Sequence, residues 1–132
     1  MRFEDLEVWK KSARLASELY KATSNLKDWG FRDQVTRAAL SISSNIAEGF
    51  ERTSELDCIR FLDYAKGSSG EVRSQLYIGM DIGYIDKAAG KQWVDELKTI
   101  SGMVAGLMRR KKEYANASRE ELASYNFEDE SP

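Results

Sequence analysis

Arg37, Ser41, Asn45, Glu48 and Arg52 recur at steps of four, four, three and four. That spacing sets a guanidinium, a hydroxyl, an amide, a carboxylate and a second guanidinium in one stripe along a helix. Such a stripe can recognise RNA or a partner protein. It can also pair internally and fix how helices register, because buried polar groups must find partners. The structural role is the expected one. Asn45 or Glu48 is expected to accept the indole proton of Trp9, and Arg37 is expected to pair with Glu71. Glu48 and Glu71 are the carboxylates to weigh for acid–base or metal chemistry. Folding the chain back on itself sends them toward opposite ends, so no catalytic, metal or cofactor site is expected. Arg109, Arg110, Lys111 and Lys112 form a run of cations suited to phosphate. The same run would suit the last turn of a helix, where cations oppose the carbonyl dipole.

Composition narrows the chemistry further. The 132 residues include no histidine, one cysteine (Cys58) and one proline, the terminal Pro132. Histidine-based triads cannot be built, and one thiol is too few for an ordinary zinc site. Cys58 reads as a small buried apolar residue in a reducing cytoplasm. The net charge of −2 is uneven. Residues 116–132 carry Arg119 against Glu120, Glu121, Glu128, Asp129 and Glu130, a net of −4, which leaves +2 on residues 1–115. No apolar run approaches the roughly 20 residues that span a membrane. The N-terminal residues lack the apolar core of a signal peptide. A soluble cytoplasmic protein is expected.

The elements that must hold these residues are helices, as a nearly proline-free chain allows. The apolar period predicts four, over about 4–24, 31–49, 54–84 and 86–114. Leu6, Trp9, Ala13, Ala16, Tyr20 and Thr23 mark the first seam, widened by Leu15 and Leu19. Val35, Ala38, Ala39, Ile42 and Ile46 mark the second. Ser54 is a capping residue for the third, whose seam is Cys58, Leu62, Ala65, Ser69, Val72, Leu76 and Gly79. The KGSSG run at 66–70 keeps this phase, so the helix is expected to continue, its glycines admitting a close neighbour near Gly102 and Gly106. Trp93, Leu97, Ile100, Val104 and Leu107 mark the fourth. The fold class is all-α: an antiparallel up-down-up-down four-helix bundle over 1–115, followed by an acidic, disordered tail over 116–132. Trp29, Phe31, Tyr77, Tyr84 and Trp93 gather at helix ends, and those left exposed are candidates for a subunit interface.

The segments FEDLEVW (Phe3–Trp9), SISSNIAEGFER (Ser41–Arg52) and FLDYAKGSSGEVRSQL (Phe61–Leu76) carry a further signal. Ser41, Ile42, Asn45, Ile46, Ala47, Glu48 and Gly49 form one motif, and Gly67, Ser68 and Glu71 a second. The chain resembles the bacterial four-helix-bundle family encoded in intervening sequences of 23S rRNA genes. That family is similar to the accessory variability protein of diversity-generating retroelements. The resemblance implies an antiparallel bundle and a ring-like homopentamer, and carries no established enzyme activity. Among the retroelement relatives it implies a basic surface that engages RNA and a reverse transcriptase.

The expected function is a non-catalytic assembly or adaptor protein that binds RNA or DNA through the assembled ring. Arg109, Arg110, Lys111 and Lys112 are its candidate contacts. One alternative is a pure protein-interaction scaffold. The other, an enzyme with an undetected carboxylate or metal site, is the weakest.

Overall fold

The computed structural model describes residues 1–129. A single 3-10 turn, Phe3–Asp5, precedes four helices: α1 (Glu7–Ala22), α2 (Trp29–Glu51), α3 (Glu55–Asp81) and α4 (Lys87–Asp129). They pack as a bundle, α2 on α3 and α3 on α4 most extensively, with α1 closing mainly onto α2. No strand occurs among the described residues.

Side-chain caps start three helices. Asp28 Oδ1 accepts from the Phe31 amide at 3.1 Å, and Ser54 Oγ accepts from the Asp57 amide at 3.0 Å. Asp86 Oδ2 accepts from the Ala89 amide at 3.0 Å. Each satisfies an amide that has no partner inside its helix. The α3–α4 turn needs Gly83, whose φ is +81°; only glycine adopts that backbone without steric cost. The amides of Tyr84 and Ile85 then both reach back to the Gly79 carbonyl.

The core follows the expected period. All seven seam residues of α3 are buried, as are Val35, Ala38, Ala39, Ile42 and Ile46 of α2. α4 contributes Val94, Leu97, Ile100 and Val104. In α1 the expected seam holds in part: Leu6, Ala16 and Thr23 are buried, as are Leu15 and Leu19. Val8, Ser12, Leu15, Ala16 and Leu19 point inward, while Trp9 and Ala13 are half-buried and Tyr20 is exposed. Aromatic side chains had pulled the expected seam toward an edge they only partly cover.

The KGSSG segment is unbroken helix, but its glycines do not make the close approach. A Cβ on Gly67 or Gly102 would meet open space, and one on Gly106 only the end of Arg109. Ser69 makes the approach instead. It is fully buried, donates to the Leu97 carbonyl at 3.1 Å and accepts from Ser101 Oγ at 2.9 Å. Gly79 is also tight: a Cβ there would lie 2.7 Å from Ile85 Cγ1 and 2.8 Å from Phe31 Cζ.

α4 does not end near 114. It has 43 residues against 27 in α3, and at 1.5 Å per residue it outruns α3 by about 24 Å. The expected tail is therefore helical as far as Asp129, and residues 116–124 are exposed on all sides. The rest of that tail, residues 130–132, lies outside the described residues. No described helix is long and apolar enough to cross a membrane.

Candidate functional site

The α2 stripe meets α3 through hydroxyls. Ser41 Oγ and Ser68 Oγ lie 2.9 Å apart, and Asn45 Nδ2 donates to Ser41 Oγ at 2.9 Å and to the Ser41 carbonyl at 2.8 Å. Residues of the two sequence motifs are thus joined across a helix interface. This line is half-buried, and its hydroxyls and the Asn45 amide nitrogen bond one another, as register-fixing groups require.

Other expected pairs do not form. Arg37 Nε pairs with Asp33 Oδ2 at 3.2 Å along its own helix. Glu71 faces Gln75 instead, with an Nε2–Oε1 separation of 3.4 Å. A salt bridge one turn away costs less side-chain entropy than one reaching across helices. Glu48 Oε1 pairs with Arg52 at 2.6 Å. Trp9 makes its contact through its ring, packing edge-on against Phe3 with centroids 5.2 Å apart. Glu48 and Glu71 therefore have separate partners on separate helices. Among the described residues, no group of three or more acidic or thiol side chains could hold a metal ion.

A polar network absent from the sequence-based expectations ties α1 to α4. Trp93 Nε1 donates to Glu18 Oε2 at 2.9 Å, Arg14 Nη1 pairs with Glu18 Oε1 at 3.1 Å, and Arg14 also bridges to Glu96. The signal available in the sequence was an Arg–Glu pair spaced i, i+4. Its partners on α4 are 75 or more residues away, beyond the reach of periodicity.

The basic run occupies the middle of α4, not its last turn. The dipole explanation for it fails, because the helix continues 17 residues past Lys112. Lys111 turns inward: its Nζ lies 3.1 Å from Glu55 Oε2 and 4.9 Å from the centroid of the Phe50 ring. Beneath it, burial pushes the Cys58 thiol above its ordinary pKa, partly offset by the Lys111 charge. Arg109, Arg110 and Lys112 are exposed and make no ion pair among the described residues. A concavity of about 380 Å³ opens beside them, lined by Phe50, Leu107, Arg110, Lys111 and Tyr114 with Met1. Cations and aromatic rings here share one mouth, a combination that can hold a phosphate backbone and stack a base.

Other surfaces expose apolar side chains. Trp9, Ala13, Tyr20 and Leu40 line a shallow groove between α1 and α2. Trp29 is 72% exposed, and Tyr77, Ile78 and Ile82 are about half exposed.

The model of the 23S rRNA-intervening sequence protein family matches residues 4–106. A solved structure from Bacteroides thetaiotaomicron, described as a protein with unknown function from the S23 ribosomal protein family, superposes with a TM-score of 0.72. It is 23% identical, over 76% of this chain and 97% of that one; the likeness is one of fold. No curated protein matches the chain. The hydroxyl line lies within the matched segment. Arg109, Arg110, Lys111 and Lys112 lie just past its end.

Proposed function

We infer the function from one premise: the chain belongs to the 23S rRNA-intervening sequence protein family. We propose that it is a non-catalytic, self-associating adaptor of the cytoplasm. Its assembled copies, five if the ring implied by the family resemblance holds, present repeats of Arg109, Arg110 and Lys112 to RNA or DNA. The observation that carries this reading is the exposed cationic turn beside Tyr114, Phe50 and the concavity they share. Lys111 is left out of the contact set, since Glu55 and Phe50 already hold it. Repetition around an assembly would raise a potential that one nearly neutral bundle lacks. A nucleic-acid-bound assembly could then serve a protein such as a reverse transcriptase.

The test is fluorescence anisotropy with a labelled single-stranded RNA between 50 and 200 mM salt. Each phosphate contact contributes about 0.7 to the log–log salt slope for single strands. Replacing Arg109, Arg110 and Lys112 by alanine should therefore lower the slope by about 2. No rise in anisotropy at low salt overturns nucleic-acid binding. Light scattering that gives a single-chain mass at micromolar concentration overturns self-association.

A second reading, a protein-interaction scaffold without nucleic acid, draws on the exposed Trp29, Tyr77, Ile78 and Ile82. Aromatic and aliphatic surface of this kind is enriched at protein interfaces. Self-association without any RNA binding would select it.

A further inference from the structure

Residues 116–124 of α4 pack against no other element among the described residues. Residues 116–124 are exposed on every side, and a single helix of this length in water is marginal without a packed face. Along the stretch, Leu107, Arg110, Tyr114, Ala117 and Glu121 recur at steps of three and four, one continuous stripe. Tyr114 is 60% exposed, and Leu122, which flanks the stripe, is 63% exposed. The near half of the same stripe borders two adjoining concavities. One is the site beside Phe50. The other, of about 280 Å³, is lined by Leu6, Glu7, Val8, Met103, Leu107 and Arg110, with Gly106. Leu107 and Arg110 belong to both, so together they make one groove.

Charge selects the occupant of that groove. The near half of the helix, residues 107–115, carries Arg109, Arg110, Lys111 and Lys112 against Glu113, and the far half, residues 116–124, carries Glu120 and Glu121 against Arg119. A parallel copy would set like charge against like. An antiparallel copy, related by a two-fold axis near residues 115 and 116, sets each basic half against an acidic half. We propose that two copies of this chain pair through the projecting end of α4 in that antiparallel sense. The arm of each copy then lies in the groove of the other, with Arg110 beside Glu121 of the second copy and Tyr114 beside Ala117, so that arm and nucleic acid compete for the mouth beside Phe50. The two-fold contact is self-complementary. The arm lies beyond the segment matched to the family, residues 4–106, while the groove that receives it is lined partly from within that segment by Leu6, Val8, Phe50 and Met103; the contact would couple two rings, or two chains.

The test is a charge swap read by light scattering with the full chain at low salt. Arg109→Glu with Arg110→Glu should halve the mass, and so should Glu120→Lys with Glu121→Lys. Combining all four substitutions should restore it. These side chains are exposed, and circular dichroism checks that the bundle is intact. A mass unchanged by either pair of substitutions overturns the proposal, as does failure of the combined variant to recover. If RNA binding is lost with Arg109→Glu and Arg110→Glu while the mass stays constant, those cations serve nucleic acid and the arm contact is overturned. A wild-type chain of single-chain mass overturns both this contact and the ring. A ring mass insensitive to the swap overturns this contact alone.

Discussion

The hydroxyls of Ser41 and Ser68 stand 2.9 Å apart across the α2–α3 interface. Asn45 also donates to Ser41 Oγ, so an amide and two hydroxyls form one hydrogen-bonded chain across the interface. A second hydroxyl pair, Ser101 and Ser69, joins α3 to α4. Short hydroxyl links thus cross both the α2–α3 and the α3–α4 interfaces.

Asn45→Ala removes the amide donor from the first link. A net intramolecular hydrogen bond contributes about 1 kcal/mol, which in a domain of this size lowers Tm by about 4 °C. Thermal unfolding followed by circular dichroism measures it. An unchanged Tm would mean that the stripe does not fix register.

Alanine at different glycines should act with opposite sign. At Gly79 the new Cβ collides with Ile85 and Phe31, a form of overpacking that costs about 1–3 kcal/mol. At Gly67 or Gly102 the Cβ enters open space on a helix, where alanine gains up to about 1 kcal/mol. Urea midpoints should move down for the first and up for the other two.

Glu18 accepts the Trp93 indole proton and also holds Arg14. Glu18→Ala should cost about 1 kcal/mol and shift the Trp93 emission. Glu18→Gln keeps an acceptor oxygen and gives up a surface ion pair worth about 0–1 kcal/mol, so it should retain most of the stability. Equal losses in the two variants would assign the role to the charge rather than to the indole bond.

Tyr84 donates its phenol proton to Asp28 Oδ2 at 3.0 Å, and that bond, with the Asp28 charge, raises its pKa above the ordinary value near 10. The folded state therefore keeps the proton longer than the unfolded chain. The stabilisation is full below about pH 10 and is lost as pH rises through the folded pKa. Urea midpoints at pH 8 and pH 11 should fall further for the wild type than for Tyr84→Phe. A steeper fall in the variant would reverse the assignment.

Fold class was legible because burial wrote itself into spacing. Cys58, Leu62, Ala65, Ser69, Val72, Leu76 and Gly79 state the inward face of α3 in phase. α1 misled at Trp9 and Tyr20, which are apolar in type yet lie at the margin of the core. The Arg37–Glu71 pair failed for a different reason: a one-dimensional contact map cannot weigh Asp33, one turn away, against a residue on another helix. The length of α4 was hidden for a third reason. Helix prediction from pattern detects a buried face, and residues 116–124 bury none; their Ala, Arg, Glu and Leu favour helix by propensity alone. The basic run consequently looked terminal. Its mouth with Phe50 depends on the end of α2 meeting the middle of α4, which no local spacing records.

The unequal support along α4 makes one helix a gauge of two processes. Amides near Leu97, Ile100 and Val104 sit in the core and should exchange with deuterium only through global opening. Those from 116 to 124 depend on whatever covers the arm. Dilution would leave the first set of exchange rates unchanged and accelerate the second, so folding and association could be read separately from one uninterrupted run of backbone.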